Sequence, residues 1–432
     1  MFPVYKFKWI VFGTLTLTYF FAMFHRFSPA VIAPEMMKEF GLGAATLGLL
    51  ASTYFYSYGV MQIPTGIFAD HIGPRKTVTM FTFLAAIGVF VFASAQNFEL
   101  AVIGRLLIGV GVAVVWVCTI KIIAVWFKLR EFATMNGILN LVGNVGAIAA
   151  ATPLALLTIL IGWRTSFLLI ALIMGLLAFF VWFFVRDDPT QLGLPTIHQS
   201  EKRFMETEKI GLIDGFRITF TNKFFWFIAF SMFIWYGSLV SFQGLWAVPY
   251  LTNVYGYSKP QASYLLTLIA VGFCVGAPFW GYLSDKVFGV RKPIFVLGFL
   301  TYTLTWVFLT ISKILPKEVF YPIFFLIGFF SGAVIISIAM LREIFPEQIV
   351  GTAMGCVNTF VFAGAGIFQF LTGYILDLIG PIEIVEGVKI YPFLAYKLAF
   401  TFCLVSLIAA SIVSFFTKET LKNNYGLRKI YR

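Results

Sequence analysis

The chain has 432 residues, of which 60% are hydrophobic, 19% aromatic and only 12% charged, and its mean hydropathy is +0.92. A soluble domain cannot bury that much apolar surface, because too large a share of its residues lies at the surface. The net charge of +12 does not indicate a nucleic-acid partner, because the cations lie in short loops between apolar segments. These properties exclude a soluble globular protein and predict a protein embedded in a bilayer.

Apolar segments long enough to cross a bilayer recur along the sequence, since a spanning helix needs about 20 mostly apolar residues. The first follows MFPVYKFKWIVFG, which lacks a small-residue cleavage site, so we expect a helix and not a cleaved signal. Twelve spans are predicted, at residues 9–33, 44–68, 77–95, 98–125, 133–158, 165–186, 221–250, 260–284, 293–312, 318–341, 350–376 and 392–416.

Lysine and arginine are distributed unequally between the two sides of these spans. With the N-terminus inside, the cytoplasmic segments hold 21 of the 31 and the outer segments hold 6, while Arg26, Arg105, Lys121 and Lys397 lie within spans. This bias predicts a multi-pass protein of the cytoplasmic (cell inner) membrane with both termini inside. The four cysteines lie in apolar spans without paired spacing, so neither disulfides nor a metal site is expected.

One long polar stretch, at 186–222, separates six spans from six. Its mixed charge and scattered glycine and proline are typical of a linker. The predicted domains are an N-terminal six-helix bundle at 1–186, a cytoplasmic linker at 187–220, a C-terminal six-helix bundle at 221–417 and a basic cytoplasmic tail at 418–432.

The two halves of the chain repeat each other. At an offset near 215 residues, matching positions pair Pro34 with Pro249, Gly66 with Gly281, Asp70 with Asp285, Arg75 with Arg291 and, at 218 residues, Thr134 with Thr352. Repeated six-helix bundles are the basis of alternating access in secondary transporters. The repeat therefore predicts two pseudo-symmetric bundles around a site near the membrane midplane.

Several motifs carry a family resemblance. GIFADHIGPRKTVTM after span two, GRLLIGVGVA in span four, GILNLVGNVGAIA in span five and GWRTSF at span six together resemble the signatures of the major facilitator superfamily. The resemblance implies an all-α membrane protein of twelve helices, a rocking motion of two bundles, and a central cavity lined by spans one and four.

FHRFSPAVIAP in span one and TIKIIAVWF in span four are similar to the bacterial sugar-phosphate-permease-like branch, which borders the organophosphate:phosphate antiporters. Those antiporters use one arginine in span one and one in span seven. Here the repeat places Ser241 opposite Arg26, and span seven has no internal cation. This difference weakens the interpretation as a phosphate-ester carrier.

Ionisable residues inside spans are costly in lipid and usually functional. Arg26, Arg105 and Lys121 are predicted to give the N-terminal bundle three cations without an internal acid, a field that favours an anionic substrate. Arg105 is also the arginine common in the resembled family, with a structural or gating role, and Lys121 has a stem long enough to reach the interface. The neighbouring His25 is a candidate for proton coupling or for helix packing.

Two polar stripes repeat every four residues and must face protein or water. They comprise Tyr54, Tyr58 and Gln62 on span two, and Asn136, Asn140 and Asn144 on span five. Substrate contact and interhelical hydrogen bonding both explain them. On span seven, the opposing candidates are Trp235, Tyr236 and Gln243.

Gating residues are predicted at the cytoplasmic ends of spans two and eight. By the resemblance, Asp70 holds the cytoplasmic gate shut by binding the positive N-terminus of span eleven; the alternative is simple anchoring of the loop by its cations. The candidates are Gly66, Asp70, Gly73, Arg75, Lys76, Asp285 and Arg291.

The sequence thus predicts a secondary carrier of a small organic solute, most simply an organic anion, working by symport or antiport. A carrier of amino acids or hydrophobic drugs and a transporter-like membrane sensor are the alternatives. We expect no enzyme activity, no cofactor and no nucleic-acid partner, because no Walker loop, zinc spacing or nucleophile elbow is present. The expected partners are the substrate, a coupling proton or counter-substrate, and the bilayer around a monomer.

Overall fold

The computed structural model of the chain describes residues 2–193, 211–311 and 316–421. These residues divide into two compact units, the first within Met1–Ile32 and Thr53–Glu208 and the second within Ala33–Ser52 and Lys209–Arg432. Most of the predicted linker and of the basic tail lies outside the described residues. The predicted bundle boundaries stay predictions.

The first unit is helical throughout, as a bilayer favours, because a helix satisfies its backbone hydrogen bonds within one segment. Helices α2 and α3 contribute their residues within Ala33–Ser52 to the second unit. The helices of this half are α1 (Phe2–Phe27), α2 (Pro29–Phe40), α3 (Ala44–His71), α4 (Pro74–Ser94), α5 (Phe98–Ala113), α6 (Val115–Trp126), α7 (Leu129–Ala149), α8 (Thr152–Ile161) and α9 (Trp163–Phe184), followed by a 3-10 turn (Pro189–Leu192).

The second unit adds a short hairpin to its helices. The hairpin is antiparallel, with Glu383 paired to Ile390. Its elements are α10 (Leu212–Thr221), α11 (Lys223–Ser241), α12 (Ala247–Tyr255), α13 (Lys259–Tyr282), α14 (Lys292–Ile311), α15 (Phe320–Ser331), α16 (Ile335–Ile344), α17 (Glu347–Ile379), β1 (Glu383–Val385), β2 (Val388–Ile390) and α18 (Phe393–Ser414).

The prediction of an all-α membrane fold is confirmed, and the observed helices lie where the apolar segments predicted spans. Among the described residues, ten helical segments are long and apolar enough to cross a membrane, and Thr134–Ala149 with Thr152–Ile161 forms a further span bent by 41°. The remaining predicted span is α3, whose polar stripe lowers its hydropathy. Its 28 residues extend about 42 Å, and its assignment as the twelfth span stays a prediction.

The internal repeat is visible in the interruptions of the helices. Ser28 separates α1 from α2, and Val114 separates α5 from α6. In the second unit, a π-helical turn at Phe242–Trp246 joins α11 to α12, and a 3-10 turn at Gly332–Val334 joins α15 to α16. Positions 28 and 243 are related by the offset of 215, and positions 114 and 332 by that of 218. The sequence repeat therefore places a break at corresponding points of both units.

Helix pairing also corresponds between the units. In the first unit α1 packs along α7, and α4 packs against α5 and α9; in the second, α11 packs along α17, and α14 packs against α15 and α18. Each unit thus pairs its first span with its fifth, and its third span with its fourth and sixth.

One acidic residue caps the third span in each half of the chain. An oxygen of Asp187 accepts a hydrogen bond from the backbone amide of Arg75 at 2.6 Å, at the start of α4. Glu419 accepts from the amides of Arg291 at 3.0 Å and Lys292 at 3.1 Å, at the start of α14. A carboxylate at this position satisfies otherwise unpaired amides and complements the helix dipole. Asp187 and Glu419, assigned by the sequence to the linker and the tail, are therefore packed parts of the two units.

The arginine of the GWRTSF motif, Arg164, also caps a helix, in this case at the C-terminal end of α4. The guanidinium of Arg164 donates to the carbonyl oxygens of Ala93 and Ala95, at the end of α4, and stacks 4.6 Å from the ring centre of Trp163. A cation at a helix C-terminus satisfies carbonyls that have no partner within the helix. The motif joins the start of α9 to the end of α4.

Candidate functional site

Two arginines of the first unit stack on two tyrosines of α3. The Cζ atom of Arg26 lies 5.0 Å from the ring centre of Tyr58, and that of Arg105 lies 5.0 Å from the ring centre of Tyr54. The two rings are neighbours, with centres 5.8 Å apart. A guanidinium is attracted to the face of an aromatic ring, so one face of α3 holds both cations near each other.

Arg105 is deeply buried, with 1% of its surface exposed. Its Nη1 donates to the carbonyl oxygen of His25 at 3.2 Å, whereas Nε and Nη2 have no hydrogen-bond partner among the described residues. Buried unsatisfied donors on a charged group are costly, and an anion or an ordered water that accepted from them would remove that cost. This geometry favours a ligand role for Arg105 beside the structural one.

His25 turns away from Arg26 and into the bundle. Its Nε2 lies 3.1 Å from the sulfur of Met174 on α9, and its ring packs 6.2 Å from Phe167. The side chain is fully buried. These contacts favour the packing role over the proton-coupling role, and the backbone carbonyl of His25 positions Arg105.

Lys121 does not join the two arginines. Its ammonium donates to Asp70 and to the carbonyl oxygen of Ala69, each at 2.7 Å. The expectation of three uncompensated cations is therefore wrong for Lys121, because its long stem carries the charge to an acid at the helix end. The candidate anion site is reduced to Arg26 and Arg105.

The polar stripe of α3 has mixed roles. Tyr54 is fully buried, and its hydroxyl donates to the carbonyl oxygen of Ala22 at 3.1 Å. The amide of Gln62 donates to the carbonyl oxygen of Tyr58 at 3.4 Å. Tyr54 thus supports Arg105 while being tied to α1, which makes it a positioning residue.

The stripe on α7 forms a ladder of amides. Asn140 donates to both the backbone and the side-chain oxygen of Asn136, at 2.8 and 2.9 Å, and Asn144 donates to the carbonyl of Asn140 at 2.9 Å. Asn140 is exposed in the described chain. A polar exposed position in a span must face water or protein, so Asn140 stays a candidate for the transport path.

The candidates of the second unit lie on α11 and the π-helical turn. The Trp235 and Tyr236 rings are 5.5 Å apart, and Tyr236 meets Phe362 of α17 edge-on at 5.8 Å. The indole Nε1 of Trp235 has no hydrogen-bond partner among the described residues. Gln243 lies in the π-helical turn, a distortion that is frequent at functional sites. This unit offers neutral polar groups.

The end of the first unit at which α3 leads into α4 is held by backbone contacts. The guanidinium of Arg75 donates to the carbonyl oxygen of Trp182, at 2.6 Å from Nη2, and stacks 4.5 Å from its ring. Gly73 has φ of 91° and lies so close to Asp187 that a Cβ there would come within 2.6 Å of Oδ2. Gly73 is therefore required by its conformation, Arg75 anchors α4 to α9, and Lys76 is exposed.

The matching end of the second unit, at which α13 leads into α14, carries a network of charged side chains. Arg291 binds Asp285 and donates from Nη2 to Glu343 at 2.9 Å; Glu343 also accepts from the hydroxyl of Thr420. Burial alone would lower the pKa of Arg291, but the hydrogen bonds that it donates to Glu343 and Asp285 raise it above its usual value. Asp285 and Arg291 are thus brought together, whereas Asp70, the counterpart of Asp285 in the first half, binds Lys121.

The sequence interpretation missed four acidic side chains that hold helix ends. Asp187, Glu343 and Glu419 bind the basic pairs after spans two and eight, and Asp377 caps the start of α3. The signal for Asp187 and Glu419 was an acid directly after the last span of each half. Asp377 could have been found from the Gly-x-x-x-Asp sequence at 373–377, which matches the one at residues 66–70.

The comparison with known families decides the class of the protein. The model of the "Major Facilitator Superfamily" matches residues 15–247 and 242–428, which is nearly the whole chain. The chain belongs to the Major Facilitator Superfamily. The predictions of the fold and of a membrane transporter rather than an enzyme are therefore confirmed.

Relatives within the Major Facilitator Superfamily agree with the branch that the sequence indicated. The chain is 25% identical over 368 residues to the glycerol-3-phosphate transporter of Bacillus subtilis, covering 79% of this chain and 80% of that one. It is 24% identical to a probable hexose phosphate transport protein of Chlamydia trachomatis, covering 84% of each, and 24% identical to the membrane sensor protein UhpC of Escherichia coli, covering 84% and 85%.

Among solved structures, the fold is similar to that of a bacterial homolog of the human lysosomal transporter Spinster. The TM-score is 0.75, with 18% identity and coverage of 96% of this chain and 97% of that one. At this identity the likeness establishes the Major Facilitator Superfamily fold alone.

Proposed function

We propose that the protein is a secondary carrier for a small organic anion and that Arg26 and Arg105 bind the acidic group. The observation that carries the proposal is the pair of guanidinium groups stacked on Tyr58 and Tyr54. Stacking engages the face of a guanidinium, whereas a carboxylate, sulfonate or phosphate binds its edge through two parallel N–H donors. In alternating access, the two halves of the fold would rock around this site.

The named substrates of several relatives support an acidic group. Besides the phosphate-ester transporters, relatives include a probable sulfoacetate transporter of Cupriavidus necator, 26% identical over 297 residues, and a probable L-galactonate transporter of Escherichia coli, 26% identical over 287 residues. Phosphate, sulfonate and carboxylate differ in geometry but share negative charge. An arginine pair can bind each of these groups through that shared charge.

The neutral character of span seven narrows the substrate class. No lysine or arginine lies between Lys223 and Tyr255, so the second half lacks the arginine that the phosphate antiporters use. Tyr236 and Gln243 offer hydrogen bonds without charge. We therefore favour a singly charged carboxylate or sulfonate with a hydroxylated or polar body over a phosphate dianion.

A thermal-shift screen on purified protein tests this proposal. Galactonate is compared with galactose, sulfoacetate with acetamide, and glycerol 3-phosphate with glycerol. A ligand at 100 times its Kd should stabilise the protein by about 2.7 kcal/mol. Hits proceed to counterflow of labelled substrate in liposomes, with Lys397→Gln as a control that removes a cation from another span. Equal uptake of charged and neutral partners would refute the proposal.

A membrane sensor is the second candidate, because one relative with matching coverage is named as such. A sensor would bind the anion, and lose that binding on Arg26→Gln, without counterflow. The same liposome measurement therefore separates the two functions.

A further inference from the structure

Two lysines of the second unit share one aromatic ring. The Nζ atom of Lys223, the first residue of α11, lies 5.3 Å from the ring centre of Phe224, and that of Lys418 lies 5.9 Å from the same centre. Both lysines are exposed, and neither forms an ion pair with a carboxylate among the side chains that the structure describes. Like charges repel, and an aromatic ring at an exposed site compensates a cation only weakly. The two ammonium groups therefore form a site that attracts an anion.

The internal repeat shows how the first unit accommodates the equivalent lysine. At the offset of 215, Lys223 corresponds to Lys8. The Nζ atom of Lys8 lies 5.6 Å from the ring centre of the next residue, Trp9, which repeats the arrangement in the second unit. Lys8 is only 5% exposed, however, and it forms an ion pair with Glu131 of α7 at 3.5 Å. In the first unit the chain itself thus supplies the anion.

The acid of that ion pair has no equivalent in the second unit. At the offset of 218, which relates α7 to α17, Glu131 corresponds to Ile349. Ile349 is buried, and a Cβ at Gly215 of α10 would lie 3.5 Å from its Cγ2. An apolar residue that packs against α10 therefore stands where the first unit has an acid, and Lys223 stays at the surface.

The second cation of the pair differs between the units in the same way. Asp187 and Glu419 cap equivalent helices, and the residues directly before them are Arg186 and Lys418. The guanidinium of Arg186 donates to the carbonyl oxygen of Val185 at 2.8 Å. The ammonium of Lys418 makes the ring contact but no hydrogen bond to any residue that the structure describes. Both cations of the first unit are thus compensated by the chain, and both of the second unit lack that compensation.

The lysine pair adjoins an apolar surface at the boundary of the membrane-spanning segments. Lys223 is the first residue of one such segment, and Lys418 lies four residues beyond the end of α18, which is another. Lys223 and Phe227 are four residues apart and therefore lie on the same face of α11. The rings of Phe227 and Phe416 are 5.9 Å apart, and Phe416 is 60% exposed. Charge and apolar surface thus follow each other along the groove between α11 and α18.

We propose that Lys223 and Lys418 bind the phosphate group of an anionic phospholipid, whose acyl chains lie along Phe227 and Phe416. An ammonium donates to phosphate oxygens, and cations at a membrane surface attract acidic headgroups. A soluble anion would use the two charges but not the aromatic surface beside them, so the observations favour a lipid. The bound lipid joins the start of α11 to the end of α18, next to the cap that Glu419 forms on α14.

Native mass spectrometry of the full chain in a neutral detergent tests the proposal. Phosphatidylglycerol is compared with phosphatidylcholine of the same acyl chains, in which choline neutralises the phosphate charge. The wild type should bind the first phosphatidylglycerol molecule more tightly than the first phosphatidylcholine molecule. Lys223→Gln and Lys418→Gln should each weaken the binding of phosphatidylglycerol about fivefold, the contribution of one cation beside an acidic headgroup, and the double variant about 25-fold. Binding of phosphatidylcholine should change little.

Lys286→Gln is the matched control, because Lys286 is also an exposed lysine of the second unit, at the end of α13, and should not affect the first phosphatidylglycerol molecule. Equal binding of the two lipids by the wild type would overturn the proposal, as would equal losses in Lys286→Gln and Lys223→Gln. Displacement of phosphatidylglycerol by inorganic phosphate would assign the site to a soluble anion and would also overturn it. The measurement uses no transport substrate, so its outcome is independent of the proposed carrier function.

Discussion

The ammonium of Lys121 lies 2.7 Å from the carboxylate of Asp70, so a cation expected to face substrate instead neutralises the acid expected to close the inner gate. The side chains are 38% and 71% exposed, and the pair is therefore weak. The gating role predicted for Asp70 would require it to leave Lys121, and a weak ion pair opposes that little.

Lys121→Met should destabilise the protein only slightly, because an exposed ion pair contributes about 0–1 kcal/mol. Lys121→Arg should resemble the wild type. Thermal unfolding of the purified variants measures both, and a loss well above that range in Lys121→Met would show that Lys121 does more than pair with Asp70.

Arg26→Gln should weaken anion binding by about 1.5–3 kcal/mol, the range for a charged hydrogen bond. Arg26→Lys should restore only part of it, because an ammonium cannot make the planar two-bond contact. Calorimetric titration of the screened anion measures both. Indifference of binding to Arg26→Gln would make the residue a packing element on Tyr58.

Arg105→Met should separate stability from function. The substitution removes a buried charge whose Nε and Nη2 lack partners among the described residues, so the melting temperature should stay constant or rise. Anion binding should fall at least tenfold if Arg105 contacts the ligand. A lower melting temperature with unchanged binding would assign Arg105 a structural role alone. Tyr54→Phe is the companion variant, because it keeps the ring under Arg105 and loses only the hydrogen bond to Ala22.

Gly48→Leu should destabilise the protein by about 1–3 kcal/mol, because a Cβ at this position would already overlap the carbonyl oxygen of Gln369. Gly66→Leu and Gly13→Leu are the controls, since a Cβ at either site would meet nothing within 4 Å. Thermal unfolding measures the three variants, and equal melting temperatures would contradict a tight contact at Gly48.

Topology is the simplest prediction to check. Reporter fusions at residue 200 and at the C-terminus should read cytoplasmic, and one at residue 385 in the hairpin should read external. An external signal at residue 200 would reverse the assignment of inner and outer ends used throughout.

Much of the fold could be predicted from the sequence, because each membrane-spanning helix requires an apolar segment of about 20 residues. The repeat of Gly66, Asp70 and Arg75 in Gly281, Asp285 and Arg291 correctly indicated two related halves. The breaks at Ser28 and at Phe242–Trp246 were not predicted, although Pro29 directly follows the first; no proline lies within the second.

The site was predicted in part. Arg26 and Arg105 could be singled out because charge inside an apolar span is conspicuous. The partners of long or distant side chains could not: Lys121 reaches Asp70 through a flexible stem, and Asp377 meets Ala44 across 333 residues of sequence. The direction of the His25 side chain depends on how α1 is rotated about its own axis in the bundle. No local sequence pattern specifies that rotation.

The capping of α14 by Glu419 bears on how the chain can be shortened or tagged. Glu419 closes the first turn of α14, and Thr420 supports Glu343 in its contact with Arg291. Trimming at residue 418 would thus remove two anchors from the inner end of the second unit at once. An affinity tag is better attached beyond residue 421, where it would leave this cluster of side chains intact.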